Sequence, residues 1–197
     1  MIVPAYETSV NMAVPDSSSG SPLLSVRDVS VRFGGIVALD GVTFDVFPGQ
    51  IAGLIGPNGA GKTTLFNCLT RLYTPNGGDV LFEGVTILTR PRHDIPRIGI
   101  GRTFQNVALF DRLSVLDNVK VGCHSVSSTS FFDNALRLPK VVPEEAHIAA
   151  RAHELIAFMD LVPFTNAIAG GLPFPIRKRV ELARALASSP KLLLLDE

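Results

Sequence analysis

The chain has no tryptophan, only two cysteines and no excess of charge, with 18 Lys+Arg against 18 Asp+Glu for a formal net charge of +0. Each shortage excludes something. Cys68 and Cys123 stand apart without metal-ligand spacing, so they build neither a disulfide framework nor a zinc site. They read as reduced core thiols, which suits a cytoplasmic protein. Balanced charge gives no footprint for a nucleic-acid partner, which would ask for a basic face. No run reaches the roughly 18 consecutive apolar residues of a helical membrane span. Residues 1–22 lack the basic start and continuous apolar stretch of a signal peptide. Any tie to a membrane is therefore expected to run through a partner.

A hydrophobic fraction of 46% in 197 residues is enough for a sizeable core. The length suggests one domain with at most a small appended subdomain. Asp16-Ser17-Ser18-Ser19-Gly20-Ser21-Pro22 reads as the end of a disordered tail, residues 1–22, that joins the domain near Leu23.

The most informative segment is Gly56-Pro57-Asn58-Gly59-Ala60-Gly61-Lys62-Thr63, which fills every fixed position of G-x-x-x-x-G-K-[ST]. The apolar run Ile51–Ile55 reads as a buried strand entering it, and Thr63 to Leu69 as a helix leaving it. That context makes the match specific. A triphosphate concentrates negative charge, and successive backbone N–H groups at a helix N-terminus present positive dipole ends to it. Gly56, Gly59 and Gly61 allow the close approach that a Cβ would block. Lys62 is placed for the β- and γ-phosphates, the Thr63 hydroxyl for Mg²⁺, and Thr64 as a further donor. The alternative is a glycine-rich turn without a ligand.

Elsewhere, Leu24 to Phe33 alternates apolar and polar residues, as a half-buried strand does, and Val42 to Phe47 repeats the pattern. Pro75-Asn76-Gly77-Gly78 is a turn signal leading to a strand over Asp79–Gly84. From Ser114 to about Asp160 the period becomes helical. Ser114 and Asp117 have capping-box spacing. A helix is expected over Pro143–Asp160, with Ile148, Ala152, Leu155, Ile156 and Met159 on one stripe. Residues 124–142 resist assignment. A third helix is expected from about Ile176 to Ser188. Lys191 to Glu197 then reads as a central parallel strand, covered on both faces and ending in two acids.

Taken together, in this order, these segments resemble the ATP-binding subunits of ABC transporters from about Leu23 to Glu197. The resemblance implies an α/β fold, a P-loop NTPase (RecA-like) core. Residues 23–113 would form an antiparallel β subdomain and nucleotide core, and 114–175 a helical subdomain. Residues 176–197 would hold the signature helix and the Walker B strand returning to the core. Phe33 stands where the family stacks an aromatic ring on adenine; otherwise it is a core Phe at a strand end. Arg102-Thr103-Phe104-Gln105-Asn106 resembles the Q-loop, so Gln105 would contact Mg²⁺ and the attacking water. Asp196 would hold the Mg²⁺ shell, and Glu197 would polarise or deprotonate that water. The implied cofactors are ATP, favoured over GTP by resemblance alone, and Mg²⁺.

Phe33-Gly34-Gly35, Ala38 to Val42 and Gly101 to Asn106 look most like branched-chain amino acid importer ATPases. The helical insert before Leu172-Pro173-Phe174 looks the same. That subfamily implies membrane permease partners, a second ATP-binding subunit in a homo- or heterodimer, a solute-binding protein, and a peripheral place on the cytoplasmic face of the plasma membrane. A silent nucleotide-binding module is a second reading. DNA- or ribosome-acting ABC ATPases are disfavoured by neutral charge and the lack of a long coiled-coil insert. GTPases are disfavoured by the lack of N-K-x-D.

Two departures stand out. The segment resembling the signature reads Leu172-Pro173-Phe174-Pro175-Ile176, and Pro175 replaces a glycine whose N–H would face the partner subunit's ATP. Proline has no N–H to donate. The sequence also ends at Glu197, where the resemblance implies a further loop, strand and histidine. His93, His124, His147 and His153 all precede Glu197. The expectation from sequence is a truncated, poorly stable and at most weakly active polypeptide.

Overall fold

A computed structural model describes residues 20–103, 108–124 and 141–196. The described residues divide into two compact units, one ending at Arg92 and the other beginning at His93.

The first unit is built on an antiparallel sheet. Strand β1 spans Leu24–Phe33, β2 Ile36–Val46, β3 Gly77–Phe82 and β4 Val85–Thr86, in the order β2-β1-β3-β4. The alternation in β1 drives Leu24, Val26, Val29 and Val31 inside. Two inward positions three apart would break the period of two. The chain repairs this at Asp28, whose φ of 51° lets the strand bulge while its register with both neighbours shifts. The turn signal at 75–78 serves the same place. Gly78 has φ +82°, and a Cβ there would run into the carbonyl oxygens of Arg27 and Asp28. Helix α1, Lys62–Leu69, lies against β2 and buries Leu65, Cys68 and Leu69. Burial pushes the Cys68 thiol up to about 11, with the Arg71 charge drawing it back. It is an inert packing group.

Among the described residues, the second unit has a parallel strand pair and three α-helices. Strand β5, Ile100–Arg102, pairs with β6, Leu192–Leu194. Helix α2 spans Val115–His124, α3 Val141–Phe158 and α4 Phe174–Ala187. Their shared core contains Val115, Val119 and Cys123 from α2, Ile148, Ala152, Leu155 and Ile156 from α3, and Val180, Ala183 and Ala187 from α4. Met159 packs against this cluster partly buried, so the whole stripe expected from the spacing faces the core. The Ser114 hydroxyl donates to the Asp117 carboxylate at 2.6 Å and accepts from the Asp117 N–H at 3.0 Å. The start of α2 is capped as its spacing foretold.

Two expected strands differ. Ile51 to Ile55 belongs to no strand, and Ile51 and Ile55 are 96% and 73% exposed. An apolar run gains strand geometry only from a ladder partner, and none of its residues pairs among the described ones. The run at 191–197 does form a parallel strand, but only over Leu192–Leu194. It has one neighbour among the described residues, and Leu192 and Leu193 are half-buried rather than covered on both faces. Residues 125–140 of the segment that resists assignment lie outside the described residues.

Small residues let α2 and α4 approach closely. A Cβ on Gly122 would collide with the Arg184 carbonyl oxygen and come within 2.8 Å of the Ala187 Cβ. Helix propensity alone favours alanine over glycine by about 1 kcal/mol. Overpacking against a backbone carbonyl costs about 1–3 kcal/mol and wins. Gly122→Ala should therefore lower the urea midpoint by an amount equivalent to about 1–2 kcal/mol, with the denaturant slope unchanged. A higher midpoint would mean that the helices separate at no cost.

Candidate nucleotide site

The loop at 56–61 leads directly into α1. Gly59 and Gly61 have φ of +85° and +84°, a region that L side chains rarely adopt. Gly61 is also the N-cap of α1, and no side chain caps the helix. Its bare α-carbon rests on β2: a Cβ would overlap the Ala38 carbonyl oxygen and approach Leu39 Cδ2 to 2.7 Å. Sequence reasoning gave this glycine to the ligand, yet the structure gives it equally to the strand beneath. Ala60 is buried and its N–H closes a turn onto the Pro57 carbonyl at 3.1 Å. Pro57, Asn58 and Gly59 are exposed at the tip, and Gly56 is half-buried.

Lys62 bends back across the loop. Its Nζ donates to the carbonyl oxygens of Gly56 at 2.6 Å and Pro57 at 3.0 Å. The ammonium thus sits over the concavity, held by weak neutral acceptors that a phosphate oxygen would outcompete. Thr63 is exposed and Thr64 half-buried in the first turn of α1. First-turn N–H groups of a helix have no intrahelical acceptor. An uncapped helix start, two left-handed glycines and a lysine across the mouth suit a polyphosphate anion.

Phe33 ends β1 and is 47% exposed. Its ring meets Tyr73 edge-on, centroids 5.3 Å apart at 71°. It is not a core residue. It lies on the same β1–β2 hairpin that seats the loop, where Arg32 pairs with Val37 and Phe33 with Ile36. Tyr73 carried no signal in the sequence that would have marked it.

In the second unit, Asp196 is buried one residue beyond Leu195. Its Oδ2 accepts from Arg102 Nη2 at 2.7 Å, and its N–H donates to Thr103 Oγ1 at 3.3 Å. Gln105 and Glu197 lie outside the described residues. The oxygen donors Thr63 Oγ1 and the Asp196 carboxylate are of the type Mg²⁺ takes. Taken singly, each donor type fits the metal, although Arg102 already holds one Asp196 carboxylate oxygen.

Asn118 also escaped sequence reasoning. Fully buried in α2, it accepts from the Phe110 N–H at 2.9 Å and donates to the carbonyls of Phe110, Leu113 and Ser114. It ties down the segment that follows Gln105. Arg177 Nη2 anchors the same segment through Asp111 at 2.6 Å. Pro175 sits in the first turn of α4, after the N-cap Pro173. The Ile176 N–H bonds back to the Pro173 carbonyl at 3.0 Å. Position 175 offers no N–H and 176 has spent its own, so this helix start has little left to donate.

A glycine loop on an antiparallel sheet in one unit, and an acid-tipped parallel strand with packed helices in the other, are the parts of a nucleotide-binding cassette. The chain matches the ABC transporter family over residues 39–197, and it belongs to that family as one of its ATPase subunits. It is 39% identical over 176 residues to LivG of Escherichia coli (strain K12), a high-affinity branched-chain amino acid transport ATP-binding protein. That match covers 89% of this chain and 69% of the relative. BraF of Pseudomonas aeruginosa, which carries the same description, matches with the same identity and coverage. Among solved structures, a nucleotide-free ATP-binding cassette from an ABC transporter superposes with a TM-score of 0.72 at 32% identity, covering 90% of this chain and 69% of that one. A dimeric post-hydrolysis cassette bound to ADP and Pi gives 0.73 at 25% identity, covering 88% and 73%.

Removing the ammonium removes a charge-assisted bond to phosphate, worth roughly 1.5–3 kcal/mol. Lys62→Ala should therefore raise the ATP dissociation constant by roughly 10- to 150-fold in calorimetric titration. An unchanged constant would separate the loop from the ligand.

Proposed function

We propose that the chain energises the import of a small solute, most simply branched-chain amino acids, by binding and hydrolysing ATP with Mg²⁺. The observation that carries the nucleotide reading is the uncapped start of α1 behind Gly61, with Lys62 across it. The substrate class rests on the 39% identity to LivG and BraF. The partners would be membrane permease subunits and a second ATP-binding subunit, with a solute-binding protein acting indirectly. The protein would then lie on the cytoplasmic face of the plasma membrane. No described helix is long and apolar enough to cross a membrane.

In this reading the loop amides and Lys62 hold the phosphates, and Phe33 lies against the base. Thr63, Gln105 and Asp196 would hold Mg²⁺, which supplies charge neutralisation at the β- and γ-phosphates. Glu197 polarises the attacking water. The reaction needs position and electrostatics more than covalent chemistry, so a small loss of either is felt in the rate. Glu197→Gln keeps the size and removes the base. Hydrolysis should fall to background while ATP affinity stays within about twofold of the parent. Loss of both together would point to a structural role for Glu197.

A second reading, a nucleotide-binding module with impaired hydrolysis, is favoured by Pro175. A missing hydrogen bond to a charged phosphate oxygen costs roughly 1.5–3 kcal/mol, about one to two orders of magnitude in rate. In the assembled transporter, Pro175→Gly should raise phosphate release by about that factor without changing ATP affinity for the loop. No change would show that the proline is harmless. Co-purification with a permease separates both readings from an ATPase working outside transport.

A further inference from the structure

The register of the parallel pair sets a cation against an acid inside the second unit. Arg102 pairs with Leu194, the Thr103 N–H donates to the Leu194 carbonyl at 3.0 Å, and Thr103 Oγ1 takes the Asp196 N–H. Backbone and side chain of the β5 end thus fix where Asp196 stands. Arg102 Nη2 then reaches Asp196 Oδ2 at 2.7 Å, with the two side chains only 6% and 10% exposed. Removing an ionised carboxylate from water is costly unless a cation accompanies it. Arg102 is that cation. The sequence shows both residues, but not that a one-strand register brings them together.

We propose that Arg102 is a positioning residue for the Asp196 carboxylate, and that by neutralising it Arg102 sets how much Mg²⁺ the site requires. The proposal rests on Asp196 being the metal-shell acid of the reading above. A divalent cation approaching Asp196 meets a carboxylate whose charge is already offset. It also meets a guanidinium a few ångströms away that repels it, in surroundings of low effective dielectric. The pair therefore raises the Mg²⁺ concentration at which Asp196 takes up the metal.

The test follows the unfolding temperature of the purified protein. It is held with a saturating non-hydrolysable ATP analogue and titrated with Mg²⁺ from an EDTA-treated start. The readout is the Mg²⁺ concentration giving half of the metal-induced rise. For Arg102→Gln and Arg102→Met it should fall at least about threefold, because the repelling charge is gone. Arg102→Lys keeps the charge and should stay within about twofold of the parent. A merely structural role would lower the starting temperature of all three and leave the Mg²⁺ midpoint in place. That result, or a midpoint that rises, overturns the proposal. Should the methionine variant fail to fold, the glutamine variant, which still donates to Oδ2, decides by the same criterion. Asp196→Asn separates the two layers. If it keeps the parent's metal-induced rise, or if the parent shows none, the metal reading of Asp196 fails and the proposal falls with it.

Discussion

The missing Cβ of Gly61 is the constraint on which the first unit turns. At that atom the chain leaves the loop at a positive φ, lies down on the Ala38 carbonyl and starts a helix. Any side chain would have to lift the loop off β2 or twist it to negative φ. Either change would move the first turn of α1. The anion-facing amides, the Lys62 ammonium and the Thr63 hydroxyl all take their places from that turn. The site is thus held by the sheet below it as well as by contacts among its own polar groups. Leu65, Cys68 and Leu69 continue the anchorage along the helix, since positions four, seven and eight after Gly61 share its face and are buried.

The second unit obeys a different economy. Its helices meet through Val180, Ala183, Ala187 and Gly122, residues small enough to let backbones come close. Several buried polar side chains inside it have a partner. Asn118 has all of its carboxamide engaged, and Asp196 has its guanidinium. Glu181, 1% exposed, lies 3.5 Å from Lys178 one turn before it. Each of these groups is affordable because a partner of the right sign or type is built in beside it.

Much of this was legible in the residues. The alternation in Leu24–Phe33, the capping pair Ser114 and Asp117, and the stripe from Ile148 to Met159 are local patterns with local causes, and they appear where they were expected. The glycine loop opens a helix as its spacing required. What could not be read depends on neighbours. Whether Ile51–Ile55 becomes a strand is decided by a pairing partner, not by its own composition. The bulge at Asp28 is fixed by two flanking strands at once. Arg102 was plainly visible in the sequence. Its meeting with Asp196 depends on a parallel register between segments far apart in the chain, which no local period encodes. Phe33 shows the converse: a strand-end aromatic is equally at home in a core or at a surface, and only its exposure in the fold separates the two.

Asn118 carries one more implication, concerning chemical ageing. Its side-chain nitrogen faces three carbonyl oxygens. Hydrolysis of that amide to a carboxylate would turn a donor into an anion aimed at three acceptors, and the loop from Phe110 to Ser114 would be pushed off its helix. Full burial and the bulky Val119 that follows shield the bond from water and from attack by the next amide. The same enclosure that makes the knot effective shields it from wear, and an ionised aspartate, the nearest isostere, would face three acceptors there.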